Sequence, residues 1–205
     1  MKNKLDIQEI LEHCKKSRLP VFISSTGLDI AFETVIRDID GPQVILENMV
    51  RPEYISRFIA CDNYFLQCKM LRFQSTSVSP RGSEMAFEIQ QNSLLEETRQ
   101  SERLIFSKDE KVIAEILNPF DRKTVLRRNV MDMSANGLSL RINSPSKAFS
   151  AGVHFPQVKV NIEGKNWAST PAEVVYTRKF IDLQGHLRIQ VGLKFTPESG
   201  KSRTK

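Results

Sequence analysis

Cysteine and histidine are scarce in this chain of 205 residues, with three of each. Cys14, Cys61 and Cys68 are odd in number and thinly spread, which argues against a disulfide framework, and no pair has CxxC spacing. His13, His154 and His186 stand apart, so the expectation is buried thiols, surface imidazoles and no metal site. No apolar run approaches the ~18–20 residues that a membrane-spanning helix needs. The opening MKNKLDIQEILEHCKK turns acidic after five residues and has no apolar stretch. No secretory signal is therefore expected, and the expected compartment is the cytosol. The glycine patterns of nucleotide-binding loops, GxGxxG and GxxxxGK(S/T), are absent. So are GxSxG, HExxH and the zinc-deaminase signature. Neighbouring carboxylates such as Glu96-Glu97 and Asp109-Glu110 lie in polar stretches and read as solvated surface, not as an acid and base. With no catalytic residues and no cofactor signature, the expected class is a non-enzymatic binding protein.

What is present is a globular composition, 40% hydrophobic and 26% charged, with nine Gly and nine Pro. The net charge of +6 is unevenly divided. Residues 1–97 carry 11 Lys and Arg against 14 Asp and Glu, whereas residues 98–205 carry 19 against 10. A net of −3 followed by +9 suggests two domains and places any anion-binding site in the second. The predicted division is 1–95 and 96–205, with the polar stretch QNSLLEETRQSER (91–103) as linker, helical near Leu94–Glu97.

The first half opens on a predicted helix, Asp6–Ser17, whose Ile7, Ile10, Leu11 and Cys14 recur at one-face spacing. Asp6 can cap it, with Glu9 at the third position after. Short β-rich runs follow at Val21–Ser24, Leu28–Ile39, Gln43–Leu46, Tyr64–Ser77 and Glu84–Gln90, with weak helical spacing over Pro52–Ile59. The second half resumes strands at Lys111–Leu117, Val125–Met133, Leu138–Ile142, Val158–Ile162, Ala172–Phe180 and Leu187–Phe195. The expected fold is mostly β: two small antiparallel barrels, the first with a leading helix.

Two elements stand out in the basic half. Arg99 and Arg103 form an RxxxR at the junction, a pattern that chance alone yields about once in a chain with this much arginine. Asp132, Ser134 and Gly137 form a DxSxxG between two β-runs, for which this composition gives an expectation of about 0.03. Arg99 and Arg103 could be one exposed face of a linker helix, and Asp132–Gly137 a plain hairpin turn, since Asn-Gly is a strong hairpin signal. Arg127 and Arg128 read as surface charge. A single-stranded nucleic-acid binder is the rival from another class, but no strand interleaves basic and aromatic residues.

The two elements in this order, with the late strand Val191-Gly192-Leu193-Lys194-Phe195, resemble the PilZ family of bacterial cyclic di-GMP receptors over about residues 98–197. The first half is similar in length and pattern to the N-terminal split barrel of flagellar-brake-type PilZ proteins. The resemblance implies a six-stranded C-terminal barrel with RxxxR on its lead-in segment. It implies cyclic di-GMP bound by Arg99, Arg103, Asp132, Ser134 and Gly137. It also implies that the residue before the first arginine, here Thr98, influences whether one ligand or a stacked pair is held. A signalling role follows, with a protein partner such as a flagellar motor or envelope-associated component, and no nucleic acid; a PilZ scaffold that has lost its ligand is the other alternative.

The chemistry of these residue types fits such a ligand. An arginine fork meets guanine O6 and N7 in a bidentate way, worth ~1–3 kcal/mol of discrimination. Asp132 offers an acceptor for guanine N–H groups, which a plain phosphate site would not want. Ser134 is a short donor, and Gly137 is expected to supply a positive φ at the turn and room for the ligand.

Overall fold

The computed structural model describes residues 7–68, 71–89, 94–95, 103–106 and 110–196. The chain divides into two compact units, Met1–Gln100 with Lys179–Leu187, and Ser101–Arg178 with Arg188–Lys205.

The first unit begins with α1 (Ile7–Lys16), β1 (Val21–Ser25), β2 (Ala31–Thr34), β3 (Ile36–Asp40) and β4 (Gln43–Glu47). It continues with α2 (Pro52–Ile59), β5 (Tyr64–Cys68), β6 (Leu71–Ser75), β7 (Val78–Arg81), β8 (Glu84–Glu88) and β9 (Leu94–Leu95). Helix α1 buries Leu11 and Cys14, two of the four positions that its spacing singles out; the predicted cap Asp6 lies outside the described residues. Helix α2 opens on Pro52, where the missing N–H costs nothing and φ is already helical. The strands form two antiparallel sheets, β2-β1-β5-β6-β9 and β3-β4-β8-β7, and Phe180 and Ile181 add to the β2 edge in parallel. Between the sheets Phe32, Phe58, Tyr64 and Phe87 pack with ring centroids 5.2–6.4 Å apart.

Three expectations need correction here. The run Leu28–Ile39 is two strands in different sheets: the chain changes sheet at Val35, whose carbonyl accepts from Glu47 N, while Thr34 Oγ donates to Glu47 O at 2.7 Å. Tyr64–Ser77 is likewise a hairpin of β5 and β6. Leu94 and Leu95 are not helical but pair with Phe73 and Arg72, because the β6 edge otherwise leaves its peptide groups without partners.

Cys14 and Cys68 are not separate thiols. They are joined as a disulfide with both residues fully buried, and only Cys61 is free. The 54-residue separation hides the pair from any spacing rule. Closing a loop of that length restricts the unfolded chain by about 4 kcal/mol. Reduction is therefore expected to lower the first unit's unfolding free energy by that order, read as a fall in its urea midpoint of about 1–4 M. An unchanged midpoint after complete reduction, confirmed by thiol titration, would contradict it.

The second unit holds β10 (Leu104–Ile105), β11 (Val112–Leu117), β12 (Val125–Ser134), β13 (Gly137–Ile142), a 3₁₀ turn (Lys147–Phe149) and β14 (His154–Ile162). Strands β15 (Lys165–Ile181) and β16 (Leu187–Phe195) complete the chain's elements, with the β15 end and the turn after it belonging to the first unit. The pairing order β14-β11-β12-β13-β16-β15 closes through β14–β15, giving the six-stranded antiparallel barrel that the family resemblance implied. Strand β14 starts at His154 and β15 at Lys165, earlier than predicted: Pro156 interrupts the first as a strand signal, and Lys165, Asn166, Ser169 and Thr170 break the apolar alternation of the second. Val112, Ala114, Ile116, Leu138, Leu140, Val158, Val160, Val191 and Leu193 fill the interior, the larger of them each contributing about 1.5–3 kcal/mol. Among the described residues no helix is long and apolar enough to cross a membrane.

Candidate functional site

Asp132 and Ser134 lie at the end of β12, and Gly137 opens β13. Strand alternation would put Val130 and Asp132 on one face, and Val130 is buried in the core. The register between β12 and β13 shifts between Val130 and Asp132, which makes Met131 the extra residue of a bulge. The bulge reverses the phase, so Val130 and Met133 both point inward while Asp132 turns to the outer face.

The same bulge receives the lead-in segment. Leu104 and Ile105 pair antiparallel with Met133 and Asp132, and Phe106 N donates to the Met131 carbonyl at 3.0 Å. This pairing sets Arg103 beside the motif. Arg103 Nη1 donates to Asp132 Oδ1 in an ion pair whose side chains are only 18% and 13% exposed. Arg103 is thus fixed by a partner and does not lie on a free, exposed linker. Arg99, the other arginine of the motif, lies outside the described residues.

Asp132 stands opposite Ser139, and Ser139 opposite Gly192, so these three cross β12, β13 and β16 in one row on the outer face. Ser139, which is fully buried, donates to Asp132 Oδ2 at 2.5 Å and accepts from Gln190 Nε2 at 3.1 Å. Among the described residues each carboxylate oxygen of Asp132 thus has one partner, and an oxygen with two lone pairs can accept a second bond. The Tyr176 ring closes the end of the row: a Cβ on Gly192 would fall 2.1 Å from it.

The other two motif residues have different tasks from those expected. Ser134 Oγ donates to the Gly137 carbonyl and accepts from Asn136 N, both at 3.3 Å, so its hydroxyl closes the turn between β12 and β13. Gly137 has no positive φ, and neither has Asn136. Glycine is needed there because a Cβ would sit 2.1 Å from the Leu193 carbonyl oxygen on β16. Arg127 pairs with Glu115 on β11, and Arg128 lies 5.5 Å from the Phe149 ring centroid, so both serve the barrel surface.

Ser139, Gln190 and Tyr176 escape sequence reasoning. Ser139 and Gln190 each alternate with core aliphatics, the ordinary pattern of an outward strand position, and Tyr176 lies between the exposed Val175 and Thr177. The link of Ser139 and Gln190 to Asp132 follows only from the register across the bulge. Two clefts among the described residues, of about 370 and 220 Å³, are lined by other residues, among them Asp29, Tyr54, Arg57 and Lys179 in the first and Arg122, His154 and Thr196 in the second.

No protein-family model matches the chain, and no curated protein sequence does. Solved structures do. MrkH of K. pneumonia in complex with c-di-GMP matches with a TM-score of 0.63 at 11% identity, over 94% of this chain and 86% of that one. MrkH described as a c-di-GMP-dependent transcription regulatory factor matches at 0.61, with 9% identity over 93% and 82%. The chain has the two-domain fold of MrkH. YcgR of Escherichia coli, solved with c-di-GMP, matches at 0.50 with 14% identity over 92% of this chain and 80% of that one. At these identities the likeness is one of fold, and it runs through both units.

Proposed function

We propose that the chain is a non-enzymatic cyclic di-GMP receptor of the PilZ type, acting in the cytoplasm. The observation that carries this reading is the Arg103–Asp132 pair on the outer face of the barrel, in a fold shared with two proteins solved with that ligand. A guanidinium and a carboxylate side by side offer both halves of guanine recognition, donors for O6 and N7 and acceptors for N–H groups. In this reading Asp132 reads the base, Arg99 and Arg103 grip base and phosphate, and Ser134 and Gly137 hold the turn that presents them.

Arg99 and Arg103 stand at the junction of the two halves in sequence. A ligand held at once there and at Asp132–Gly137 favours one arrangement of the domains 1–95 and 96–205, by as much as its differential affinity for the two states allows. The surface so made or hidden is what a downstream protein, such as a motor or envelope-associated component, would read. A nucleic-acid output is the second reading, favoured by the description of MrkH as a transcription regulatory factor and by the +9 charge of residues 98–205.

Arg103→Ala is expected to lose about 1–3 kcal/mol of cyclic di-GMP binding by calorimetry. Small-angle scattering is expected to change when ligand is added to the wild type, with new amide protection at 103–106 and 132–137. Wild-type affinity in the variant would remove the arginine from the site. Tight binding without any change in scattering would defeat the switch but leave the receptor. Salt-sensitive DNA binding that responds to cyclic di-GMP would favour the second output.

A further inference from the structure

We infer that Ser139 and Gln190 are positioning residues for base selectivity: they fix the plane of the Asp132 carboxylate so that it presents a two-pronged acceptor to guanine. This rests on the cyclic di-GMP reading above. The two residues belong to neither motif, and their role comes from the hydrogen-bond chain on the barrel face.

A carboxylate at the end of a short side chain rotates freely unless both oxygens are held. Arg103 holds Oδ1 and Ser139 holds Oδ2, the latter at 2.5 Å. The serine hydroxyl has one proton, so which way it donates must be settled. Gln190 Nε2 settles it by donating to the serine oxygen at 3.1 Å, which leaves the proton for Asp132. Ser139 is completely buried and Gln190 is 8% exposed, so water does not compete for these bonds. The strands enforce the placement: Ser139 faces Asp132 across β12–β13 and Gly192 across β13–β16, and Gln190 lies one inward-facing residue away from Gly192. Two outward polar residues on two strands thus form one chain of hydrogen bonds that ends on a carboxylate oxygen, which chance packing of surface polar groups does not require.

Guanine offers a carboxylate two donors in a line, the ring N1–H and the exocyclic amino group. A carboxylate with a fixed plane can take both; one free to rotate holds the first and loses much of the second. Hypoxanthine keeps N1–H and lacks the amino group. The bond chain therefore favours cyclic di-GMP over its inosine counterpart, cyclic di-IMP, and not merely binding as such.

The test is calorimetric titration of the full chain and its Ser139→Ala and Ser139→Thr variants with both dinucleotides. Ser139→Ala is expected to weaken cyclic di-GMP about 10-fold, the scale of one hydrogen bond to a charged group, and to weaken cyclic di-IMP much less, so that the preference shrinks. Ser139→Thr keeps the hydroxyl and is expected to retain the preference. Equal weakening of both ligands in Ser139→Ala would show a general structural defect and overturn the inference, as would an unchanged preference. A wild type that binds neither dinucleotide would instead overturn the receptor reading, and this inference with it.

Discussion

Asp132→Ala is expected to weaken cyclic di-GMP binding about 10- to 100-fold, although it removes a negative charge from a site for a dianion. Simple attraction predicts the opposite sign. Two effects oppose it here. Guanine N–H groups lose their acceptor, and Arg103 loses the carboxylate that now holds it in place beside the base site. Leaving charged or buried donors unmatched costs more than the bond itself contributes. The measurement is titration calorimetry of wild type and variant in one buffer, with circular dichroism to show that the barrel persists. Tighter binding in the variant would mean that the site attracts anions and does not read the base.

Gly137→Ala is expected to destabilise the second unit by about 2–3 kcal/mol, far more than an exposed turn position would. The reason is backbone against backbone. The added Cβ would meet the Leu193 carbonyl oxygen at 2.1 Å and the Leu193 carbonyl carbon at 3.1 Å, and neither can rotate aside. Strands β13 and β16 would have to part at one of the barrel's seams. Gly192→Ala offers the comparison: its Cβ meets the Tyr176 ring, a side chain that can swing away, so its cost should be smaller and the ring should move. Urea unfolding of both variants checks the order. Equal midpoints for wild type and Gly137→Ala would show that the glycine is there for the ligand alone.

These two outcomes depend on parts of the molecule that the sequence reveals unequally. The family resemblance names Arg103 and Asp132 as residues of one ligand site but not their contact, which comes from the pairing of β10 with β12. The alternation of apolar residues suffices for the barrel's strands wherever one face is buried, as in Val112–Leu117 and Leu138–Ile142. It fails where polar residues occupy a strand, as in the first part of β15, and where one apolar run serves two sheets, as at Val35. The bulge at Met131 leaves no residue signature, yet it decides which face Asp132 occupies. Without it, the register that joins Asp132 to Ser139 and Gln190 does not exist. Gly137 shows the same limit: the residue type is legible, but its reason is a carbonyl on a strand more than fifty positions later. The Cys14–Cys68 pair is likewise a product of the fold that no local pattern announces.

The most direct test of the account is a calorimetric titration of the full chain with cyclic di-GMP and, in parallel, cyclic di-AMP, at about 0.15 M and about 0.5 M salt. A guanine-reading face predicts saturable binding of cyclic di-GMP and a clear preference over cyclic di-AMP that survives at the higher salt. Equal affinity for the two dinucleotides, or a preference that vanishes as salt rises, would contradict it.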